Sequence, residues 1–333
     1  AAPDEVTAFA RKTGIPVITT LMGIGSFPTG EEQFLGMPGM HGTVTANKAI
    51  THCDLILGAG LRFDDRVTGK ISRFAPNATV VHIDIDPAEI SKLVKAHVPV
   101  VGDLRDVMPR LEAELAALDI AEWRDTLAGW KATYPEKYKA DKPLVSQEVL
   151  AMLREAAGEC IVATEVGQHQ MFAARLLPTS KPRSFITSGG LGTMGFGLPA
   201  AIGAAFARPG ESVVCVAGDG SVQMNIQELA TLSKHQLPVV IAILNNGVLG
   251  MVRQWQELFH AQRYSEIYLA DSNPDFAKLA EAYGIEGHNV FDRETAARVI
   301  PEALAKKKPV LLNFVVYEAE QVWPMIPAGA GVD

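Results

Sequence analysis

The stretch Ser212–Met251 limits what this chain can fold into more than any other. It reads as strand, sharp turn, helix, strand, turn. Val213, Val214 and Val216 form a β-branched run that predicts a buried parallel strand. Gly218-Asp219-Gly220 ends that strand, and glycine on both sides of the aspartate lets the backbone turn tightly with a ligand pressed against it. Asn225–Gln236 carries helical apolar spacing at Ile226, Leu229 and Leu232. Asn225 with Glu228 three residues later predicts a capping box at its start. Pro238 opens the second strand, Val239–Leu244, which ends on Asn245-Asn246. A parallel crossover returns both strand ends to one sheet edge, so Asp219 and Asn246 are expected to converge.

One carboxylate and one amide carbonyl at the carboxyl edge of a sheet suit a Mg²⁺ ion that keeps phosphate oxygens as its other ligands. A diphosphate is the natural guest. Alone, Gly-Asp-Gly reads equally well as ordinary turn chemistry; paired with Asn-Asn at 245–246 it is far more specific. The pair resembles the diphosphate-binding motif of the thiamine-diphosphate enzymes. That resemblance implies metal ligation by Asp219, Asn246 and the main-chain carbonyl of Val248.

The chain has 333 residues, 48% of them hydrophobic and 20% charged, which suits two α/β domains with proper cores. Its net charge is −8, and the one basic run, Lys306–Lys308, reads as a solvated helix end, so nucleic acid is not an expected partner. Cys53, Cys160 and Cys215 have no metal spacing and read as buried thiols of a reducing compartment. No apolar run reaches membrane-spanning length and no signal peptide is seen. A cytoplasmic, bacterial-like setting is therefore expected. A plastid origin stays open, because the start of the chain looks truncated.

Residues 1–118 read as a doubly wound parallel-sheet domain. A helix, Asp4–Thr13, is closed by Gly14 and followed by a strand, Ile15–Thr20. The glycine- and proline-rich loop Met22–Gly42 is long enough to be a binding surface. Thr45–Thr51 reads as helix, Cys53–Leu57 as strand, Val80–Ile85 as strand with a helix launched at Pro87, and Val98–Val101 as a last strand. Three strand ends then carry Gly58/Gly60, Asp84 and Gly102-Asp103 on one edge, a pattern that suits a dinucleotide. The GxGxxG fingerprint is absent, so NAD is poorly supported.

Leu21–Gly69, with SFPTG, MPGMHGT and GLRFDDRVTGK, resembles the central domain of the acetohydroxyacid (acetolactate) synthase family. The resemblance implies FAD that does no net redox work, touched by Thr20, Leu21, Met40, His41, Gly58, Ala59, Arg62, Asp64, Asp84 and Asp103. It also implies that Arg66 grips the carboxylate of a second keto acid, as a guanidinium does in a bidentate way. An internal ion pair of Arg66 with Asp64 or Asp65 is the alternative.

Residues 119–145 read as a charged, proline-punctuated linker, and 146–333 as a second doubly wound domain that includes a C-terminal tail. A helix, Ser146–Ala157, and a strand, Cys160–Glu165, lead to Gly167-Gln168-His169 at a helix start, where donors face an anion. Ser188–Pro199, with Gly192 and Met194, is a glycine-dense turn into the helix Ala200–Ala207. In the family, Gln168 and His169 would contact the diphosphate and Met194 would prop the cofactor in its V shape. Gly220, Ser221 and Gly250 would line the same cofactor. Met194 as core filler is the plainer alternative. Met251 and Trp255 share a helix face; the resemblance places both at the substrate pocket, and an apolar stripe is the alternative. Val322–Gly329 resembles a C-terminal lid.

The implied protein is a transferase of branched-chain amino-acid biosynthesis. It would decarboxylate pyruvate on thiamine diphosphate and join the two-carbon unit to a second pyruvate or 2-ketobutyrate. The activating glutamate would lie on a separate domain that this chain lacks, leaving the chain alone inactive. A dimer or tetramer with active sites between subunits is implied, and a small regulatory subunit is possible. The alternatives are a flavin-free catabolic acetolactate synthase, a glyoxylate carboligase, or a non-catalytic nucleotide-binding module.

Overall fold

Alternation along the strands of the second half of the chain decides its architecture. On one set of positions stand Val162, Val214, Val216, Val240, Ala242, Leu244, Leu312 and Phe314, all buried in one core. On the intervening positions stand Ile161, Ala163, Val213, Cys215, Ala217, Ile241, Ile243 and Leu311, all buried in another. A sheet apolar on both faces must be covered on both faces, which requires parallel strands joined by helices.

The computed structural model describes residues 2–136, 138, 143–327 and 329–331. The chain divides into two compact units. One is Ala1–Glu136 with Ser180–Pro182 and Trp323–Asp333; the other is Lys137–Thr179 with Arg183–Val322.

The first unit holds a three-stranded parallel sheet, β1 (Leu55–Ala59), β2 (Thr79–Asp84) and β3 (Val98–Val101), in the order β1-β2-β3. The helix Pro3–Thr13 ends on Gly14 at φ 78°, the left-handed cap that glycine adopts freely. Phe9, Ile83 and Met108 bury together with the helix Leu104–Glu114. The helix Ala121–Thr133 packs Leu127, Trp123 and Trp130 against Ala46 and Ala49 of the helix Val44–His52. Of the expected linker, Lys137 and residues 139–142 lie outside the described residues.

Several expectations for this unit are corrected. Ile15–Thr20 is not a strand of the sheet: it makes one parallel bridge, Val17 to Phe34, because its partner turns away at Gly36, φ 96°. β1 starts at Leu55 rather than Cys53, since Cys53 caps the preceding helix through its N–H to the Ala49 carbonyl. No helix follows Pro87. The Asp84 and Asp86 carboxylates accept the N–H groups of Asp86 and Ala88, each at 2.9 Å, as a cap would, but the turn that follows is broken at Ser91, whose φ of 61° is left-handed.

The second unit holds six parallel strands: β4 (Ile161–Thr164), β5 (Phe185–Ile186), β6 (Val213–Gly218), β7 (Val239–Asn245), β8 (Glu286–Val290) and β9 (Val310–Val315). Their order is β5-β4-β6-β7-β9-β8. Helices Ser146–Ala157, Gln168–Leu176 and Arg293–Ala305 cover one face, and Gly197–Ala207, Leu229–His235 and Phe276–Ala282 the other. The α/β reading as two doubly wound parallel-sheet domains stands.

The capping box at Asn225 is a correction. A short helix, Asp219–Val222, opens at Gly218, a 3-10 stretch covers Gln223–Glu228, and the regular helix begins at Leu229. Asn225 is non-helical (φ −135°): its Nδ2 donates to the Gly195 carbonyl at 2.8 Å, and its Oδ1, the atom a cap would use, accepts from Gln227 Nε2 at 3.2 Å instead of a backbone N–H. The helix expected from Ala200 starts earlier, at Gly197.

Burial pushes the Cys160 thiol up to about 12 and the Cys215 thiol well above its usual range. Cys53, half-buried in the first unit, is pushed up to about 11 by the same cause. Among the described residues, no helix is long and apolar enough to cross a membrane.

Candidate cofactor and metal site

Strand order locates the site. After β4 the chain steps to one side to lay down β5, then returns to lay down β6 on the other side of β4. The two crossovers leave the β4/β6 pair in opposite directions, and the crevice at their carboxyl ends is where open α/β sheets take ligands. The segments that emerge there are Glu165–His169 after β4 and Gly218–Ser221 after β6, with Asn245–Val248 following β7 alongside.

Register brings the last two together. Gly218 pairs with Leu244, so Asp219 and Asn245 leave the sheet side by side. Asn273 donates its amide to Asp219 Oδ2 at 2.7 Å and to Asn245 Oδ1 at 3.4 Å. Its own oxygen accepts from Gln223 Nε2 at 3.0 Å, and that nitrogen also donates to the Asp219 carbonyl at 2.9 Å. Asp219 is only 2% exposed. Burial raises its carboxyl above the usual range, against the pull of Asn273 and neighbouring N–H groups, and no cationic side chain acts on it.

Asn246 turns the other way. Its Nδ2 donates to Gln168 Oε1 at 3.3 Å, and its Oδ1 accepts from the Val248 N–H at 3.2 Å. The loop is pinned by Leu249 N–H to the Ile267 carbonyl and Leu269 N–H to the Gly247 carbonyl, both 2.8 Å. A buried carboxylate with no cation, a carboxamide oxygen with a lone pair to spare and a nearby carbonyl make a hard, all-oxygen donor set. It fits Mg²⁺.

His169 explains two glycines. Its ring lies 2.9–3.0 Å from where a Cβ on Gly167 would stand and 3.0–3.1 Å from one on Gly218. The imidazole is 8% exposed, and burial lowers it to about 4, so it is neutral at pH 7. Its Nε2 has no hydrogen-bond partner among the described residues. A buried, unsatisfied ring nitrogen at a helix start is a site for a ligand's polar group.

The glycine-dense turn reaches the same place. A Cβ on Gly220 would meet Leu269 and Leu249, with Met194 Cε at 3.9 Å, so the Met194 thioether lies over the Gly-Asp-Gly turn. Gly192, at φ 64°, stands against Val166. A side chain on Gly250 would overlap Gln168 Oε1, so glycine there lets the helix Gly250–Phe259 start against the Gln168 amide. Further along, Trp255 and Phe259 tilt together at 5.0 Å, and Met251 packs on the core.

Three important residues escape sequence reasoning. Glu165, fully buried, accepts from Ser221 Oγ at 2.8 Å and from the Gly195 N–H, tying three motifs together. Burial raises its carboxyl, with the bond from Ser221 opposing. The Ser221 hydroxyl proton is thus directed to Glu165 and the Gly218 carbonyl. Asn273 and Gln254 are the others. A charge ending an apolar strand was the only available signal for Glu165; the two amides look like any loop or helix polar residue.

In the first unit the candidates Gly58, Ala59, Asp84 and Asp103 sit at the carboxyl ends of β1, β2 and β3, where Gly60 N–H donates to the Ile83 carbonyl at 2.8 Å and Gly102 N–H to the Asp84 carbonyl at 3.0 Å; Thr20, Leu21, Met40 and His41 lie in loops and turns outside the sheet. Gly58 and Ala59 end β1, where Phe63 packs so close to Gly58 that a Cβ would meet its ring at 2.7 Å. Thr20 precedes the 3-10 turn Leu21–Gly23. Met40 and His41 are buried, and Met40 N–H donates to the Arg66 carbonyl at 2.9 Å. Arg62 pairs with Asp64 at 3.4 Å and Arg66 with Asp65 at 3.2 Å, both in exposed settings. Asp103 caps its helix and is lowered to about 2 by Arg105, first through the side-chain bond and then the backbone N–H. The tail lies against this unit, with Ile326 N–H to the Met40 carbonyl at 3.0 Å and Lys70 N–H to the Ala330 carbonyl at 2.9 Å; Ala328 is outside the described residues.

Comparison with known proteins agrees with this geometry. Residues 165–314 match the thiamine pyrophosphate enzyme C-terminal TPP binding domain, and residues 1–111 match the thiamine pyrophosphate enzyme central domain. The chain belongs to the thiamine pyrophosphate enzymes. Within that family it is similar to acetolactate synthase large subunits. Identity is 48% to that of Mycobacterium tuberculosis, over 100% of this chain and 56% of the relative. It is 46% to the isozyme 2 large subunit of Escherichia coli, over 99% and 60%. For a probable large subunit of Methanocaldococcus jannaschii it is 47%, over 98% and 57%. The chain thus spans well under two thirds of the length of these relatives.

Proposed function

We propose that this chain is the part of an acetolactate synthase catalytic subunit that holds the diphosphate end of thiamine diphosphate through Mg²⁺. The observation that carries this is the convergence of three segments at one carboxyl edge: the buried His169 ring lies against Gly218, next to buried Asp219, and Asn246 at the end of β7 is bonded to Gln168, next to His169. Asp219, Asn246 and the Val248 carbonyl hold the ion. Gly167, Gln168, His169, Gly220, Ser221 and Gly250 line the diphosphate. When bound, thiamine diphosphate supplies the nucleophilic carbon and the electron sink for loss of CO₂ from pyruvate.

The chain's own residues orient and shield. Met194, above the Gly-Asp-Gly turn, sets the bend of the cofactor together with Gly192. Met251 and Trp255 line the pocket for a second pyruvate or 2-ketobutyrate, and Arg66 takes a keto-acid carboxylate. None of the four carboxylates buried among the described residues serves as the activating acid: Asp219 serves the ion, Glu165 is spent on Ser221 and Gly195, Glu148 pairs with Arg293, and Glu320 accepts the Ser146 N–H. That acid comes from outside these residues, so the chain alone turns over little pyruvate. FAD on the first unit, supported by the strand-end pattern and by relatives named acetolactate synthase, is structural. A dimer or tetramer, a small regulatory subunit and a cytoplasmic location complete the reading.

Titration calorimetry with thiamine diphosphate, with and without Mg²⁺, tests it. Binding should need Mg²⁺ and vanish in Asp219→Ala. Tight binding without Mg²⁺ in both proteins would overturn it.

A further inference from the structure

A carboxamide at a metal site has two faces, one a donor and one an acceptor, and only the oxygen can ligate a cation. Asn246 therefore has to be held the right way round, and the means lie two hydrogen bonds away. Gln254 is fully buried on the helix Gly250–Phe259. Its Nε2 donates to the Val322 carbonyl at 3.0 Å and its Oε1 accepts the Val322 N–H at 2.9 Å. A backbone N–H cannot accept and a backbone carbonyl cannot donate, so this two-point bond fixes which end of the Gln254 amide is oxygen. That oxygen also accepts from Gln168 Nε2 at 3.1 Å, and the same nitrogen donates to the Glu320 carbonyl at 2.9 Å. Gln168 is thereby fixed in turn, with Oε1 forced towards Asn246 Nδ2 at 3.3 Å. Asn246 must then present Oδ1 on its other side, where the Val248 N–H agrees at 3.2 Å.

We propose that Gln254 is a positioning residue for the metal site: with the Val322 backbone as its reference, it sets through Gln168 which face Asn246 turns to the cation. This rests on the Mg²⁺ reading above. The relay is deeply buried, Gln168 being 6% exposed and Gln254 0%, so water does not offer the amides an easy substitute. Outer partners of this kind orient first ligands and carry a measurable share of metal affinity.

Two measurements on the 333-residue chain test it. In calorimetry with thiamine diphosphate, Gln254→Met, which keeps length but removes the amide, should weaken Mg²⁺ affinity on the order of tenfold. Gln254→Glu keeps the acceptor that orients Gln168 and should restore most of the loss. A residue that only filled space would lower the urea midpoint and leave Mg²⁺ affinity of the folded protein alone. Wild-type Mg²⁺ affinity in Gln254→Met overturns the proposal. If that variant does not fold, Gln254→Ser, which is too short to reach Gln168, takes its place, and wild-type Mg²⁺ affinity there with the fold intact overturns the proposal.

The second measurement needs no metal. The side-chain amide protons of Asn246 in ¹⁵N spectra should shift in Gln254→Met and hold in Gln254→Glu. Unmoved Asn246 signals in Gln254→Met overturn the wiring. Absence of any Mg²⁺-dependent binding in the unsubstituted chain would instead sink the proposed function, and the spectra would still decide the relay.

Discussion

The two units place polar groups at the carboxyl ends of parallel strands in opposite ways. In the first, each group is settled by a neighbour in sequence: Asp64 caps the Arg66 N–H at 3.1 Å, Asp84 the Asp86 N–H, Asp103 the Arg105 N–H. In the second, each group has a partner far away in sequence: Glu165 has Ser221, Asp219 has Asn273, and the Asn246 Nδ2 has Gln168, with only its Oδ1 settled locally by Val248. Strand order accounts for much of this. The β1-β2-β3 sheet has no reversal among its described strands, so its edge is an open rim. The β5-β4-β6 reversal makes a crevice in which side chains lose water and must satisfy one another. Local pairing keeps single residues independent. Long-range pairing makes the site one cooperative object, in which a single deletion strands several partners.

Three measurements can break or sharpen that contrast. The largest effect is expected at Glu165. Replacing it with Leu leaves the Gly195 N–H and the Ser221 hydroxyl without their buried acceptor, which should cost about 4 kcal/mol in urea unfolding. A cost under about 1 kcal/mol would mean the second site is no more interdependent than the first.

Next comes acid. His169 is held neutral by burial and lowered to about 4, while the unfolded chain takes up its proton near 6.5. Between those values the unfolded state binds more protons, so stability falls as pH drops from about 6.5 to 4, by about 3 kcal/mol for this residue alone. His169→Gln should flatten that part of the stability–pH curve. A curve of unchanged slope would show that His169 is not sealed from solvent.

The smallest effect belongs to the open rim. Asp64→Ala removes one helix cap and should cost about 1 kcal/mol, with nothing propagated to other motifs. A loss matching that of Glu165→Leu would erase the distinction between the units.

The same contrast explains how much could be read from the residues alone. Val213–Leu244 announced its strands, and the strand–helix–strand crossover placed Asp219 beside the Asn pair, because period and topology are local or nearly so. Gln168, His169 and Met194 entered through the family resemblance rather than through period or topology. Asn225 misled: as an N-cap it obeyed every local preference, yet its Nδ2 is held by the Gly195 carbonyl 30 residues away and its Oδ1 by the Gln227 side chain. Pro87 failed for a local reason, since the chain turns left-handed at Ser91 before a helix can extend. Glu165, Gln254 and Asn273 were invisible because what defines each is a partner more than 50 residues distant.

The thiols give the second unit a clock and the first a reference. A protonated, enclosed sulfur is inert to alkylating reagents until the segment around it opens, because only the exposed thiolate reacts. Cys160 and Cys215, enclosed, report opening of the β4/β6 centre of the second unit, while half-buried Cys53 reacts without such opening and serves as the reference in the first. Mass-resolved labelling of the native protein over time would therefore follow that opening against its reference in one tube. Protection gained on Cys160 and Cys215 but not on Cys53, when Mg²⁺ and thiamine diphosphate are added, would give the stretch of chain that the ligand closes.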